Sequence, residues 1–469
     1  MSERDWAGRR LHFIAIGGAG MSGLALVAHR LGAEVSGSDR AESSYTQRLR
    51  AAGIEPAIGH DADRVPEDAE VVVSTAIGDD NPELARARER GQTILHRGEL
   101  LAELCGERRL LAVAGTHGKT TTAAMCIHAL QAVGAGPSFF LGGELPGAGP
   151  DGAAANAGWG DGEWVIAEAD ESDASFLKLR PEVAVVTNLE LDHHSRWRSL
   201  AELSEAFAAF AAPAAGLVID AGVELPGTSR RKLRFALEPE AGRPQAEANL
   251  TASSIHALDG GGIAFTAGGG GIEPTAVELA VPGRHNVANA LAALGGLAFA
   301  GAEVAACARA LASFGGVARR LEFKGERNGA RIYDDYAHHP TEVRATLSAA
   351  RELGGRRLIA AFQPHLYSRT KALAPELGAA LALADEIAVL DVYAAREEPV
   401  GEFEGVSGRM VAEAAADRAG GRPVWWLPDR ESAARALADR LGDGDLLLTI
   451  GAGDIHRLGE ELIANGEGR

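Results

Sequence analysis

The turn Gly115-Thr116-His117-Gly118-Lys119-Thr120-Thr121 constrains this chain more than any other stretch. An apolar strand, Leu110–Ala114, precedes it, and a helix is expected from about Thr120. A glycine-rich turn joining a buried strand to a helix belongs to a parallel sheet with crossover helices. Its backbone N–H groups and the helix N-terminus can cradle phosphate. Lys119 can bridge β- and γ-phosphates, and the Thr120 hydroxyl can ligate magnesium. The turn is shorter than a full phosphate loop, because Val113 stands where the first glycine would fall.

The same alternation of short apolar runs and helical stretches recurs on both sides, so the expected fold class is α/β. A chain of 469 residues exceeds one ordinary core, and three α/β domains are expected at 1–107, 108–314 and 315–469. The first has strands Leu11–Ile16, Glu34–Gly37 and Val71–Thr75, with a helix to about Leu31. The second adds strands Trp164–Glu168 and Val183–Thr187 and helices Leu200–Phe210, Asn286–Ala298 and Ala302–Phe314. Its stretch 221–271 reads as a small antiparallel excursion. The third has strands at Arg331–Tyr333, Leu358–Phe362, Ile387–Leu390 and Leu446–Ile450. Hinges are expected near Arg108 and Gly315.

Composition narrows the partners. A net charge of −19 leaves no broad basic face for nucleic acid or an anionic membrane. Cys105, Cys126 and Cys307 have neither metal spacing nor a disulfide framework and read as buried thiols in a reducing cytosol. The charged start Met1–Arg10 does not read as a signal peptide, and Leu11–Leu31, the nearest approach to a membrane span, contains His29, Arg30 and four glycines. The expected location is cytoplasmic.

Other motifs fall at strand ends, where doubly wound sheets bind ligands. Glu168-Ala169-Asp170-Glu171-Ser172-Asp173 offers carboxylates that can hold magnesium beside phosphates. Val185-Val186-Thr187-Asn188-Leu189-Glu190-Leu191-Asp192-His193-His194 ends the next strand. Gly18 to Gly23 spells GxGxxG after the first strand, with Asp39 about 20 residues on, a pattern that seats a pyrophosphate on a helix N-terminus. Alone it would read as NAD binding. Asn286 and Asn289 share one helix face and can pair with an adenine edge. Arg319-Arg320, Asp334-Asp335-Tyr336-Ala337-His338-His339 and Phe362-Gln363-Pro364-His365-Leu366-Tyr367-Ser368-Arg369 complete the set. With His285, directly before Asn286, seven of the 14 histidines lie inside these motifs, more clustering than scattered surface histidines would show.

In this order, from Gly17 to the turn Gly451-Ala452-Gly453-Asp454-Ile455, the motifs resemble those of the Mur ligases. The resemblance implies an amino-terminal Rossmann-like domain for UDP, a central ATPase domain and a carboxy-terminal Rossmann-like domain. It implies that Gly18, Ala19, Gly20, Met21 and Ser22 face the UDP diphosphate, with Asp39, Ser74 and Thr75 toward the uridine. Gly115 to Thr121, including Thr116, His117, Gly118 and Thr121, would bind ATP, with His285, Asn286, Asn289, Arg320 and Asp335. Thr120, Glu168 and His193 would hold two magnesium ions. Arg97, Asp170, Glu171, Ser172, Tyr336, His338, His365 and Arg369 would meet substrate, and Lys119, Glu168, His193 and His338 would serve catalysis.

His117, where most of the family carries Asn, and the run Glu168–Phe176 resemble the alanine-adding branch. That branch implies ATP-dependent joining of L-alanine to the carboxylate of UDP-N-acetylmuramic acid, through an acyl phosphate, in peptidoglycan precursor synthesis. The alternatives are the tripeptide-recycling branch, an NAD-dependent dehydrogenase and a nucleotide-binding switch. The chain departs from the family at His194-Ser195, Leu366 and Arg396, and Phe207 stands where several relatives carry a carbamylated lysine, so no carbamylation is expected.

Overall fold

The computed structural model describes residues 6–149, 152–192, 196–227, 231–238, 247–395 and 397–465. His193, His194, Ser195 and Arg396 lie outside them. The chain divides into two compact units. One is Met1–Ile255 with Phe265–Glu278 and Val287–Phe314, and the other is His256–Ala264 with Leu279–Asn286 and Gly315–Arg469.

The first sheet comprises β1 (Arg10–Ile14), β2 (Glu34–Asp39), β3 (Ala57–Ile58), β4 (Glu70–Val73) and β5 (Ile94–His96). Its order is β3-β2-β1-β4-β5, all parallel. The chain leaves β1 in one direction for β2 and β3 and returns on the other side as β4 and β5. The crevice beyond the end of β1 is therefore the switch point where such sheets bind ligands.

The second sheet holds β6 (Arg109–Ala114), β7 (Ser138–Leu145), β8 (Ala155–Gly158), β9 (Trp164–Glu168), β10 (Val183–Val186), β11 (Gly216–Asp220), β12 (Arg231–Leu237), β13 (Leu250–Ala257), β14 (Ile263–Gly269) and β15 (Ile272–Leu279). Its order is β15-β14-β13-β12-β11-β10-β6-β9-β7-β8. The reading of 221–271 as an antiparallel excursion is corrected at β12, which pairs parallel with both β11 and β13. The residues between β12 and β13 are numerous enough for a crossover, which a tight hairpin would not allow.

The third sheet is β16 (Glu322–Arg327), β17 (Ala330–Asp335), β18 (Leu358–Phe362), β19 (Glu386–Val389), β20 (Val424–Trp426) and β21 (Leu446–Ile450), in the order β16-β17-β21-β18-β19-β20. Only the β16–β17 ladder within it is antiparallel. The helix expected at Ala302–Phe314 is helical over Val304–Ala310 and then tightens into a 3₁₀ turn, Leu311–Ser313.

Within the first unit one apolar core runs under both sheets. Phe13, Leu24 and Val27 join Phe140, Val165, Phe176 and Phe207 in it. Phe207 is fully buried and packs 5.2 Å from Phe176, so that position is filled by an aromatic ring. Helix Ala19–Arg30 lies against β8, where a Cβ on Gly23 would come 2.8 Å from the Ala157 Cβ. The buried Asn156 amide donates to the Ala19 carbonyl. Arg48 pairs with Glu144 on β7, and the Arg108 guanidinium lies 4.7 Å over the Trp159 ring. No helix among the described residues is long and apolar enough to cross a membrane.

Candidate phosphate and substrate site

β6 ends in the glycine-rich turn, and helix Lys119–Ala132 starts at its far side. Gly118 caps the helix at φ +79°, and a Cβ there would meet Asn289 Oδ1 at 2.4 Å, so only glycine fits. The segment after β10 supports the turn from behind. Thr187 Oγ1 and Asn188 Nδ2 donate to the His117 carbonyl at 2.6 and 2.9 Å. The His117 N–H donates to Asn188 Oδ1 at 2.8 Å, and Thr116 Oγ1 donates to the Glu190 carbonyl at 2.9 Å. The His117 ring lies 3.4 Å from Glu190 Oε2.

Lys119 Nζ donates to the Gly115 and Thr116 carbonyls at 2.6 and 3.1 Å and pairs with Glu171 at 2.9 Å. Burial opposes its charge, but Glu171, Asp170 and Glu168 outweigh burial and raise its pKa. Glu171 is buried, and loss of hydration pushes its carboxyl up to about 7 against the pull of Lys119. Asp170 goes the other way: burial raises it, but Lys119 and the Ser172 N–H hold it below the usual range. Ser172 donates to Asp170 from both its N–H, at 3.0 Å, and its hydroxyl, at 2.9 Å.

The Thr120 hydroxyl donates to Glu168 Oε2 at 2.8 Å, and the Gly142 N–H donates to the same oxygen at 2.8 Å. Thr120 and Glu168 thus put two hard oxygen donors side by side beside a phosphate turn, a set that fits magnesium. His193, the third ligand implied by resemblance, lies outside the described residues.

A cavity of about 90 Å³ runs from the first glycine-rich turn to Glu168 and Asp170, at the end of β9. Gly20, Gly23 and Arg97 line it from the first sheet's side, and Gly142, Asn156, Glu168 and Asp170 from the second's. Arg97 Nη2 donates to Asp173 at 2.8 Å and Asp170 at 3.3 Å. At the first turn, the Gly17 N–H donates to Asp39 Oδ2 at 2.9 Å, and Ser22 is buried with its hydroxyl on the Ala19 carbonyl. Gly18 caps the helix, and Met21 is buried in the core. Ser74 and Thr75 follow β4 in a turn, with Thr75 exposed.

The second unit gathers the later motifs. Arg319 and Arg320 lie over the Tyr336 ring at 5.0 and 5.5 Å. His338 stands edge-on to Tyr336 at 5.7 Å and 6.1 Å from His365. Arg369 reaches His365 Nδ1 at 3.2 Å, and Tyr393 stacks on His365 at 5.8 Å. Asp335 accepts the Leu321 and Ala337 N–H groups at 2.7 and 2.8 Å, and burial pushes its carboxyl up to about 6. Burial and the neighbouring Arg320 push the His285 imidazole down to about 4. Asn286 Nδ2 donates to the Pro282 carbonyl at 2.7 Å; in the first unit, Asn289 Oδ1 accepts the Thr122 hydroxyl at 3.3 Å. The two amides are therefore engaged with their own surroundings.

Two contributors, Asn156 and Tyr393, fall outside the motifs read from sequence, while Thr187 and Asn188 fall inside the motif Val185–His194 but carry no role in that reading. Asn156 sits in a run of Ala and Gly with no local signal, and Tyr393 matters only through its contact with His365.

Comparison with known proteins agrees with this arrangement. Three family models match in order: "Mur ligase family, catalytic domain" at residues 10–109, "Mur ligase middle domain" at 113–297, and "Mur ligase, glutamate ligase domain" at 319–453. The UDP-N-acetylmuramate–L-alanine ligase of Rubrobacter xylanophilus is 44% identical over 458 residues, covering 97% of this chain and 99% of its own. That of Kineococcus radiotolerans is 47% identical over 471 residues, covering 97% and 95%. The crystal structure of the UDP-N-acetylmuramate–alanine ligase from Thermotoga maritima superposes with a TM-score of 0.82 at 28% identity, over 98% of this chain and 99% of that one. A murein peptide ligase from Psychrobacter arcticus shares the fold at a TM-score of 0.70 and 24% identity, over 98% and 99%. The three α/β sheets, the phosphate turn beside Glu168 and these full-length matches have one reading: the chain belongs to the Mur ligase family.

Proposed function

We propose that this chain joins L-alanine to the lactyl carboxylate of UDP-N-acetylmuramic acid, converting ATP to ADP and phosphate, as a step in peptidoglycan precursor synthesis in the cytoplasm. The observation that carries the reading is the cavity that has the Gly20 turn on one side and Glu168, hydrogen-bonded to Thr120 of the phosphate turn, on the other. It gives a sugar nucleotide and ATP a common meeting point. A dehydrogenase would leave the second turn without a role.

A carboxylate and an amine do not condense unaided in water, so the carboxylate is activated first. Its oxygen attacks the γ-phosphorus of ATP, the bond from that phosphorus to ADP breaks, and an acyl phosphate forms. The neutral amino group of L-alanine then attacks the acyl carbon. The tetrahedral intermediate expels phosphate and leaves the amide, and the amine proton passes to a base, for which His338 is the candidate among the described residues. Two anions meet in the first step, and Lys119 offsets their repulsion. Thr120 and Glu168, with His193, would hold magnesium, which would supply further positive charge beside the phosphates. Gly18, Gly20 and Ser22 receive the diphosphate, Asp39, Ser74 and Thr75 the uridine, and His285, Asn286 and Asn289 the adenine. Tyr336, His365 and Arg369 serve the amino-acid substrate.

Phosphate release is the test. ATP, magnesium and UDP-N-acetylmuramic acid are supplied with either L-alanine or the L-Ala-D-Glu-diaminopimelate tripeptide. Release that needs both the sugar nucleotide and L-alanine is expected. Release only with the tripeptide would move the chain to the recycling branch.

A further inference from the structure

Behind the first glycine-rich turn lies a polar cluster that the mechanism above does not use. Glu83, in the first turn of helix Pro82–Glu89, is fully buried, as are Ser38 and His12. The Ser38 hydroxyl donates to Glu83 Oε2 at 2.5 Å, and the Asp61 N–H donates to Oε1 at 3.1 Å. His12 Nε2 and His60 Nδ1 each lie 3.5 Å from Oε2. His60 Nδ1 is also 2.8 Å from the Ser38 hydroxyl, and His12 Nδ1 is 2.9 Å from that of Ser36. One carboxylate thus gathers β1, β2 and the turn after β3. Burial pushes the Glu83 carboxyl up, but bonds from His12, Ser38 and the Asp61 N–H outweigh it and hold it below the usual range.

An apolar side chain could seat this helix on the sheet without burying a carboxylate, which is costly unless fully hydrogen-bonded. The cluster's position supplies a use. Ser38 directly precedes Asp39, whose Oδ2 accepts the Gly17 N–H at 2.9 Å. The Ser38 carbonyl accepts the Ile16 N–H, also at 2.9 Å. Successive strand residues point to opposite faces, so a Ser38 side chain pinned on one face fixes Asp39 on the other.

We propose that Glu83 is a positioning residue for sugar-nucleotide recognition: through Ser38 it sets Asp39, and through Asp39 it aims the backbone N–H groups of the Gly17–Ser22 turn. The inference rests on the proposed reading of that turn as the UDP diphosphate site. It separates recognition of the sugar nucleotide from recognition of ATP, because the cluster is built from the first sheet and the helix and turn packed on it, with no residue of the phosphate turn.

The test uses the full chain as wild type, Glu83→Gln and Ser38→Ala. Calorimetry measures binding of UDP-N-acetylmuramic acid and of ATP separately, with melting temperature as the control for folding. Loss of a hydrogen bond to a charged group predicts a dissociation constant for the sugar nucleotide raised about ten-fold in both variants. ATP affinity should stay within about two-fold of wild type. A merely structural role would weaken both ligands together, and that result would overturn the proposal. So would unchanged sugar-nucleotide affinity in folded Ser38→Ala, which decides the matter if Glu83→Gln does not fold. A wild type that fails to bind the sugar nucleotide would sink the proposed function first, and this inference with it.

Discussion

Gly23→Ala tests how the first sheet docks on the second. The residue lies inside helix Ala19–Arg30, so by helix propensity alone alanine should stabilise by about 1 kcal/mol. The packing opposes this. The new Cβ would stand 2.8 Å from the Ala157 Cβ, whereas carbon pairs settle at roughly 3.5–4.0 Å. Both atoms are fixed to backbone, so helix and β8 must part by about 1 Å. Overpacking of this kind costs about 1–3 kcal/mol. Parting also pulls the Ala19 carbonyl from the Asn156 amide, both of which line the cavity beside the first glycine-rich turn. A loss of about 1.4 kcal/mol there corresponds to a ten-fold rise in KM for the sugar nucleotide. Steady-state phosphate release gives KM for each substrate, and thermal denaturation gives stability. The decisive arm is Gly23→Ala with Ala157→Gly, which removes the opposing Cβ and should restore most of both losses, a coupling of about 1–2 kcal/mol. Wild-type KM and stability in Gly23→Ala, or no rescue in the double variant, would refute the reasoning.

Lys119→Ala should cut turnover by at least about 1,000-fold with the fold retained, because Glu171 can take up a proton when its partner is lost; near-normal phosphate release would contradict the assigned role. Thr120→Val should raise the magnesium needed for half-maximal rate by about ten-fold, whereas Thr120→Ser should not; equal behaviour of the two would remove Thr120 from the metal site. Asp335 has a folded pKa of about 6, above its unfolded value, so its contribution is full below about pH 4 and is lost as pH rises through 6. Relative to Asp335→Asn, the wild type should therefore lose stability, by up to about 3 kcal/mol, between pH 4 and 7. A difference independent of pH in urea unfolding would show that the carboxyl is not perturbed.

Trp164–Glu168, Leu358–Phe362 and Leu446–Ile450 match expectation to the residue, because buried parallel strands are continuous apolar runs closed by turns. The phosphate turn was equally legible, since its chemistry is local. β8 was missed: Ala155-Asn156-Ala157-Gly158 has no β-branched or aromatic residue, and its place comes from the helix it meets. β12 and β13 were not individually legible, since 221–271 is Gly-rich and poorly periodic, and the parallel direction of their pairing has no local sequence signal. In the candidate site, Lys119, Thr120 and Glu168 were legible from type and spacing. Asn188, Asn156 and Tyr393 act through contacts across long sequence separations, which spacing does not encode.

The way Thr187, Asn188 and Glu190 hold the phosphate turn bears on the thermodynamics of nucleotide binding. Backbone groups of Thr116 and His117 are already engaged from behind, and Gly118 is locked against Asn289. Fixing one residue's backbone costs about 1–2 kcal/mol of conformational entropy, and here folding has met that cost before nucleotide arrives. Binding then orders little chain, and its free energy stays available for the charge rearrangement of phosphoryl transfer.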